Sequence, residues 1–166
     1  FTMIKSYIDV KPHNIALHDT ILKPTIVMVG SVDKRKNYEL FLKISTYLKD
    51  CRFKWIGSGP ELYYCLELID SGNFSNVSFV GHKNSGEVFH ALNEADIFLM
   101  TSTSEGFPLS ILEAMYFKAC IVSNEFKGVH EIVEHNVTGV VFNNNDATDA
   151  VKKLRSVIDD GSVRGM

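Results

Sequence analysis

Ala95-Asp96-Ile97-Phe98-Leu99-Met100-Thr101-Ser102-Thr103-Ser104-Glu105-Gly106-Phe107-Pro108-Leu109-Ser110-Ile111-Leu112-Glu113-Ala114-Met115 reads as a buried strand, a glycine turn and a helix start in direct succession. Asp96–Met100 is a short apolar run of strand length, and helix-period residues resume at Leu109–Phe117. Pro108 falls at a first helical position, where a missing N–H costs nothing. A strand that turns straight into a helix aims the first-turn N–H groups and the positive dipole end beyond the strand tip. Two carboxylates bracket this junction, Glu105 on the turn and Glu113 inside the helix.

The same alternation runs outward in both directions. Strands are expected at Thr25–Val29, Arg52–Ile56, Val77–Val80, Asp96–Met100, Ala119–Ser123 and Val140–Phe142. Helices are expected at Tyr38–Lys49, Glu61–Ser71, Gly86–Asn93, Leu109–Phe117, Val129–Glu134 and Ala147–Ile158. Strands alternating with helices imply right-handed βαβ units. The fold class is therefore α/β, a doubly wound parallel sheet of about six strands with helices on both faces. The strand runs are Val/Ile/Phe-rich rather than alternating, as strands covered on both sides should be. Gly30, Gly57, Gly59 and Gly81 each follow a strand, and Pro60 reads as another first helical residue. Residues 1–24 read as a connector with a lead-in strand around Met3–Ile8, and residues 25–166 as the domain.

Composition excludes several classes. The 166 residues carry a formal charge of −3, so nothing draws them electrostatically to nucleic acid or an anionic membrane. No apolar run approaches the roughly 18–20 residues a membrane span needs. The chain opens at Phe1 rather than Met, which points to a piece excised from a longer polypeptide. Cys51, Cys65 and Cys120 form no CxxC pair, and their odd number argues against a disulfide framework. Buried thiols in a reducing, cytoplasmic setting are the expectation. Three N-x-S/T triplets, at Asn73, Asn76 and Asn136, then read as chance occurrences.

In a sheet of this kind the ligand crevice lies outside the carboxyl ends of the strands. The loops that follow the strands therefore carry the chemistry. In Gly30-Ser31-Val32-Asp33-Lys34-Arg35-Lys36-Asn37, three consecutive cations precede a helix and could neutralise a diphosphate, or form a solvated basic loop. Lys36, nearest the helix, is the choice for the phosphate-facing residue. Gly57-Ser58-Gly59-Pro60 lacks the third glycine of a dinucleotide fingerprint and reads as a tight turn, with Gly57 leaving room for ligand. Gly81-His82-Lys83 could meet a nucleobase edge or stand free as an exposed loop.

In the Glu105–Glu113 loop, the N–H groups of Leu109 and Ser110 are expected to face the crevice. Glu113 lies one turn further in and leans back toward the same opening. A carboxylate in so apolar a helix needs a partner, either a ribose diol or a lysine. Phosphates in the middle with hydroxyls at both ends describe a nucleotide sugar. His130 and His135 stand five apart in Val129-His130-Glu131-Ile132-Val133-Glu134-His135, off a common helix face, so an HExxH-type metal site fails. No G-x-S-x-G elbow supports hydrolysis.

These loops resemble the nucleotide-sugar-binding C-terminal half of retaining glycosyltransferases with the GT-B fold, the family 4, glycosyl transferases group 1. The resemblance covers nearly all of residues 25–158. It rests on Val29-Gly30…Lys36-Asn37, Ile56-Gly57-Ser58-Gly59-Pro60, Phe79-Val80-Gly81, the E-x7-E element Ser104-Glu105-Gly106-Phe107-Pro108…Glu113-Ala114-Met115, and Asn124…Gly128…Glu131-Ile132-Val133…Thr138-Gly139. It implies that Glu105 contacts the transferred sugar and Glu113 the ribose. Backbone groups of Gly106, Phe107, Leu109 and Ser110 would hold sugar and diphosphate, and Lys36 would stabilise the leaving diphosphate. Gly30, Ser31, Arg35, Gly57, Gly81, His82 and Lys83 complete the implied donor contacts.

Such enzymes typically need no bound metal, because cations and helix N-termini stabilise the departing charge. Ser31 stands where the family usually has arginine. Either Arg35 or Lys34 reaches in, or the diphosphate is held more weakly. The expected activity is transfer of a hexose from a nucleoside-diphosphate sugar to a glycan or glycolipid, in polysaccharide or glycoconjugate assembly. The acceptor-binding N-terminal half lies outside this chain, so the fragment alone should bind donor without turning it over. Any membrane contact, at the inner face, would be made through that half. The alternatives are a nucleotide-sugar epimerase half-domain and a non-catalytic GT-B-like binding domain, the latter favoured by Ser31.

Overall fold

The computed structural model describes residues 23–159. The connector and lead-in strand expected over residues 1–24 therefore lie almost entirely outside the described residues. Six strands form one wholly parallel sheet: β1 (Thr25–Val29), β2 (Arg52–Ile56), β3 (Val77–Phe79), β4 (Ile97–Met100), β5 (Cys120–Asn124) and β6 (Val140–Phe142). Five helices connect or follow them: α1 (Tyr38–Tyr47), α2 (Leu62–Asp70), α3 (Ser85–Asn93), α4 (Leu109–Tyr116) and α5 (Ala147–Asp159). The strand order is β3-β2-β1-β4-β5-β6. The winding direction thus reverses between β1 and β4, and that reversal opens a crevice at their carboxyl ends.

β4 and β5 bury every side chain, as unbroken apolar runs require: β4 is Ile97, Phe98, Leu99 and Met100, all with no exposed surface. On one face α1 lies over β2 and β3, with the Phe41 ring 5.1 Å from Trp55 and 5.4 Å from Phe53 in edge-to-face contact. Trp55 in turn stacks on Phe79 at 5.5 Å. Each such pair adds about 0.5–1.5 kcal/mol beyond its buried area. Helix α5 returns to pack beside α1, and α3 packs beside α4 on the opposite face. That second face covers β2 and β3 incompletely. Arg52 and Ser78 are exposed there and Lys54 half-buried, so these two strands depart from the expected two-sided burial.

Local signals set the remaining boundaries. Asn37 caps α1 from a left-handed conformation (φ 57°), its side chain accepting the Leu40 N–H. Asn84 and Glu87 close a reciprocal capping box on α3. The helix expected at Val129–Glu134 is only a 3-10 turn, Val129–Glu131. It stops because the Thr138 hydroxyl takes the Glu134 N–H and the chain turns back there, Val137 and Thr138 both donating to the Glu134 carbonyl. Neither proline is a first helical residue. Pro108 is the N-cap of α4, and Pro60 precedes Glu61, the N-cap of an α2 that begins at Leu62.

All three cysteines are buried and none is in a disulfide. Burial, with Glu61 and Glu39 nearby, pushes the Cys65 thiol up to about 12, so it is inert at neutral pH. Among the described residues no helix is long and apolar enough to cross a membrane.

The triplet at Asn76 has a structural explanation. Its side-chain amide donates to the carbonyls of Ser45 (3.1 Å), Leu48 (3.0 Å) and Cys51 (3.2 Å), closing the end of α1 onto the start of β2. Asn76→Ala is expected to lower stability by about 2 kcal/mol by stranding these acceptors. Exposed Asn73→Ala should stay within about 0.5 kcal/mol. Urea unfolding of both variants checks this, and equal midpoints would remove the capping role.

Candidate functional site

At the switch point the loops after β1 and β4 are stitched together. The Thr103 N–H and hydroxyl both donate to the Arg35 carbonyl, at 2.9 and 3.1 Å, and the buried Thr101 hydroxyl donates to the Lys36 carbonyl at 2.8 Å. Asp33 fixes the preceding turn by accepting the Lys36 N–H at 2.8 Å. These bonds hold the basic loop against the glycine turn and bring together two residues the sequence had placed in separate roles. Lys36 Nζ donates to Glu105 Oε1 at 2.7 Å, and Arg35 Nη1 donates to Oε2 at 3.3 Å. Arg35 Nη1 also donates to the Ser104 carbonyl at 3.2 Å.

The pair is sheltered. Lys36 is only 8% exposed and the Glu105 side chain 7%, while the Arg35 side chain is about half open to water. A lysine so far from solvent needs an opposite charge, and Glu105 supplies it. Its stem crosses directly over Gly30, where an added Cβ would stand 3.0 Å from Lys36 Cε. A side chain at Gly30 would crowd the Lys36 stem.

Gly57 has a different reason. The space its absent side chain leaves is filled by the Gly30 carbonyl oxygen, 1.9 Å from where a Cβ would lie, instead of offering room to a ligand. That carbonyl accepts the Trp55 indole N–H at 2.9 Å, and the Gly57 N–H donates to the Gly81 carbonyl at 2.9 Å. Gly59 likewise packs on the backbone of Val32, with Ser31 Oγ 2.8 Å from its Cβ position. The glycines after β1 and β2 thus sit in close-packed turns that fix the loop carrying Lys36.

The turn into α4 differs from the expectation in one respect. Pro108 (φ −80°, ψ 76°) makes an inverse γ-turn, so the Leu109 N–H donates to the Phe107 carbonyl at 2.9 Å and does not face the crevice. Gly106, Phe107 and Leu109 are exposed on the rim, with Ser110 partly so. Glu113 is half-buried one turn into α4. Its carboxylate makes no hydrogen bond or ion pair among the described residues, so no lysine partner for it is found there. Phe117 packs on Phe89 of α3 at 5.3 Å.

After β3, Gly81 takes a left-handed conformation (φ 71°) with open space where a side chain would be, and His82 is exposed. Lys83 is tied to Glu87 at 3.0 Å, and this ion pair with the Asn84 N–H holds the Glu87 carboxyl below its ordinary value. The His130–His135 segment is divided between two tasks. His130 Nε2 meets Glu125 at 2.9 Å, while His135 Nδ1 accepts the N–H of Val141 at 2.9 Å and so covers the edge strand β6. Among the described residues no group of three or more His, Cys, Asp and Glu is placed to hold a metal ion.

Sequence reasoning missed a row of asparagines that ties the crevice together. Buried Asn124, the last residue of β5, donates to the Ser102 carbonyl at 2.9 Å and accepts the Asn145 N–H at 2.9 Å. Asn145, itself left-handed (φ 58°), accepts from the Asn37 side chain at 2.8 Å. Loops after β1, β4, β5 and β6 are joined in this way. The available signal was the abrupt change from apolar to polar at Thr101-Ser102 and Ser123-Asn124, which marks polar groups buried at strand tips.

Comparison with known proteins extends this picture. The family model described as glycosyl transferases group 1 matches residues 21–165. A sulfoquinovosyl transferase of Arabidopsis thaliana is 31% identical over 145 residues, covering 86% of this chain and 28% of its own length. The amylovoran biosynthesis glycosyltransferase AmsK of Erwinia amylovora is 31% identical over 152 residues, covering 84% of this chain and 37% of its own length. The chain thus spans about a third of the curated relatives it matches. A variant of Staphylococcus aureus TarM, solved with fondaparinux, α-GlcNAc-glycerol and UDP, shares the fold with a TM-score of 0.79. It is 22% identical, and the match covers 94% of this chain and 32% of that one.

Proposed function

Since this chain belongs to the glycosyl transferases group 1 family, we propose that its switch-point crevice binds the nucleoside-diphosphate sugar of a retaining hexosyltransferase. The observation that carries the reading is the Lys36–Glu105 pair, a sheltered cation and carboxylate at the carboxyl ends of β1 and β4 beside the N-terminus of α4. When the bond from the sugar's anomeric carbon to the diphosphate breaks, negative charge grows on the leaving oxygen. Lys36, Arg35 and the positive end of α4 are the groups near enough to stabilise it without a metal ion. Ser31 leaves that task to Arg35, whose half-exposed guanidinium can turn toward a phosphate.

Glu113, whose carboxylate has no partner among the described residues, suits a ribose diol, which offers two hydroxyl donors to one carboxylate. The Gly81–Lys83 loop, open around Gly81, suits the base. The acceptor site belongs to the remaining polypeptide, as the partial coverage of the relatives suggests. The product is a sugar linked to a glycan or glycolipid, in polysaccharide or glycoconjugate assembly.

Titration of the chain with UDP, GDP and ADP tests the reading, and saturable binding of at least one is expected. Glu113→Ala should weaken that binding by about 1–3 kcal/mol, the loss of a charged hydrogen bond. Absence of binding to all three would refute the donor-site assignment, and an unchanged affinity in the variant would refute the ribose role alone.

A further inference from the structure

The basic loop brings two cations to the switch point, and both are already committed to one carboxylate. Glu105 accepts Lys36 on Oε1 and Arg35 on Oε2, with its side chain 7% exposed. We propose, resting on the donor-site reading above, that Glu105 is an exchangeable counter-ion that makes the crevice prefer an intact sugar diphosphate to the nucleoside diphosphate left after transfer. A phosphate oxygen that hydrogen-bonds Lys36 Nζ comes within about 6 Å of Glu105 Oε1, since both share the same ammonium. Like charges at that separation repel appreciably near a protein surface.

As Lys36 divides its donors between Glu105 and the diphosphate and Arg35 turns to the diphosphate, the sheltered Glu105 carboxylate gives up part of its hydrogen bonding and must find new donors. Sugar hydroxyls supply them; a diphosphate with no sugar does not. Glu105 therefore admits the donor with its charges balanced and disfavours the product, acting as a positioning residue for Lys36 as well as a selector of ligand.

Calorimetric titration with inorganic pyrophosphate, with UDP, GDP and ADP, and with their glucose, galactose and N-acetylglucosamine conjugates tests this. Glu105→Gln keeps the side-chain shape and removes the charge. The variant is expected to bind pyrophosphate and the accepted nucleoside diphosphate about tenfold more tightly than the wild type. A purely structural role predicts the opposite sign, and weaker or unchanged pyrophosphate binding overturns the proposal. A wild-type measurement serves if the variant does not fold. At least one sugar conjugate should bind about tenfold more tightly than its own nucleoside diphosphate, and a panel in which none does overturns the proposal too. Failure of all nucleotides to bind the wild type would strike the donor-site reading, while the pyrophosphate comparison would still report the exchange at Lys36.

Discussion

Gly57→Ala is expected to destabilise the fold by about 4 kcal/mol or more, placing it among the exceptional single substitutions. Two independent penalties combine there. The backbone at φ 147° is a conformation that side chains rarely adopt, costing about 1–3 kcal/mol. The new methyl would also stand 1.9 Å from the Gly30 carbonyl oxygen, which is held in place by the Trp55 indole. Relief requires moving the start of the Lys36 loop, so nucleotide binding should fall together with stability. Gly81→Ala supplies the contrast. Its φ of 71° carries the left-handed penalty of about 1–2 kcal/mol, but open space surrounds it. Urea unfolding of the two variants separates steric from conformational cost, and similar midpoints would show that the Gly30 carbonyl yields easily.

Lys36→Met should lower affinity for the bound nucleoside diphosphate by about 3 kcal/mol, a loss of more than a hundredfold. Methionine keeps the apolar stem over Gly30 and removes only the ammonium, so the loop geometry is conserved while the charge is lost. Stability should fall as well, by about 1–3 kcal/mol, because Glu105 is left with Arg35 alone at 3.3 Å. Exposed Lys34→Met, two residues away, should change neither quantity beyond about 0.5 kcal/mol. Equal affinities for the Lys34 and Lys36 variants would mean that the basic loop acts as a diffuse field, with no specific role for Lys36.

The architecture was legible because its signals are local. Short apolar runs, glycines after strands and helix-period segments each act within a few turns of chain. The misreadings are local too, but they depend on competition from elsewhere. The Val129–Glu134 pattern has buried valines at helical spacing, yet a hydroxyl four residues beyond its end claims the N–H that would continue the helix. Pro60 sits in a helix-start context, yet Glu61, tied by its N–H to the Val32 carbonyl of another loop, is the N-cap and α2 begins at Leu62. The Leu109 N–H was expected in the crevice, and the γ-turn at Pro108 turns it back onto Phe107.

At the site, residue identities were readable and their relations were not. Glu105 and Lys36 stood out as charged groups in the loops after strands, and Glu113 as a carboxylate in an apolar helix. Nothing in the chain's order says that Lys36 and Glu105, 69 positions apart, share a hydrogen bond of 2.7 Å. That contact exists because β1 and β4 are neighbours at the reversal of winding, a fact of strand order rather than of spacing. The same holds for the tryptophan under Gly30 and the asparagines joining four loops.

The sequence alone determined the doubly wound sheet, the loops that bear the chemistry and the two carboxylates around the turn, since periodicity and turn chemistry are short-range. Only the tertiary structure decided which cation faces which carboxylate, why Gly57 must be glycine, and that the Glu113 carboxylate has no partner among the described residues. Those outcomes depend on side chains brought within a few ångströms by strand pairing, and pairing is written across the whole molecule.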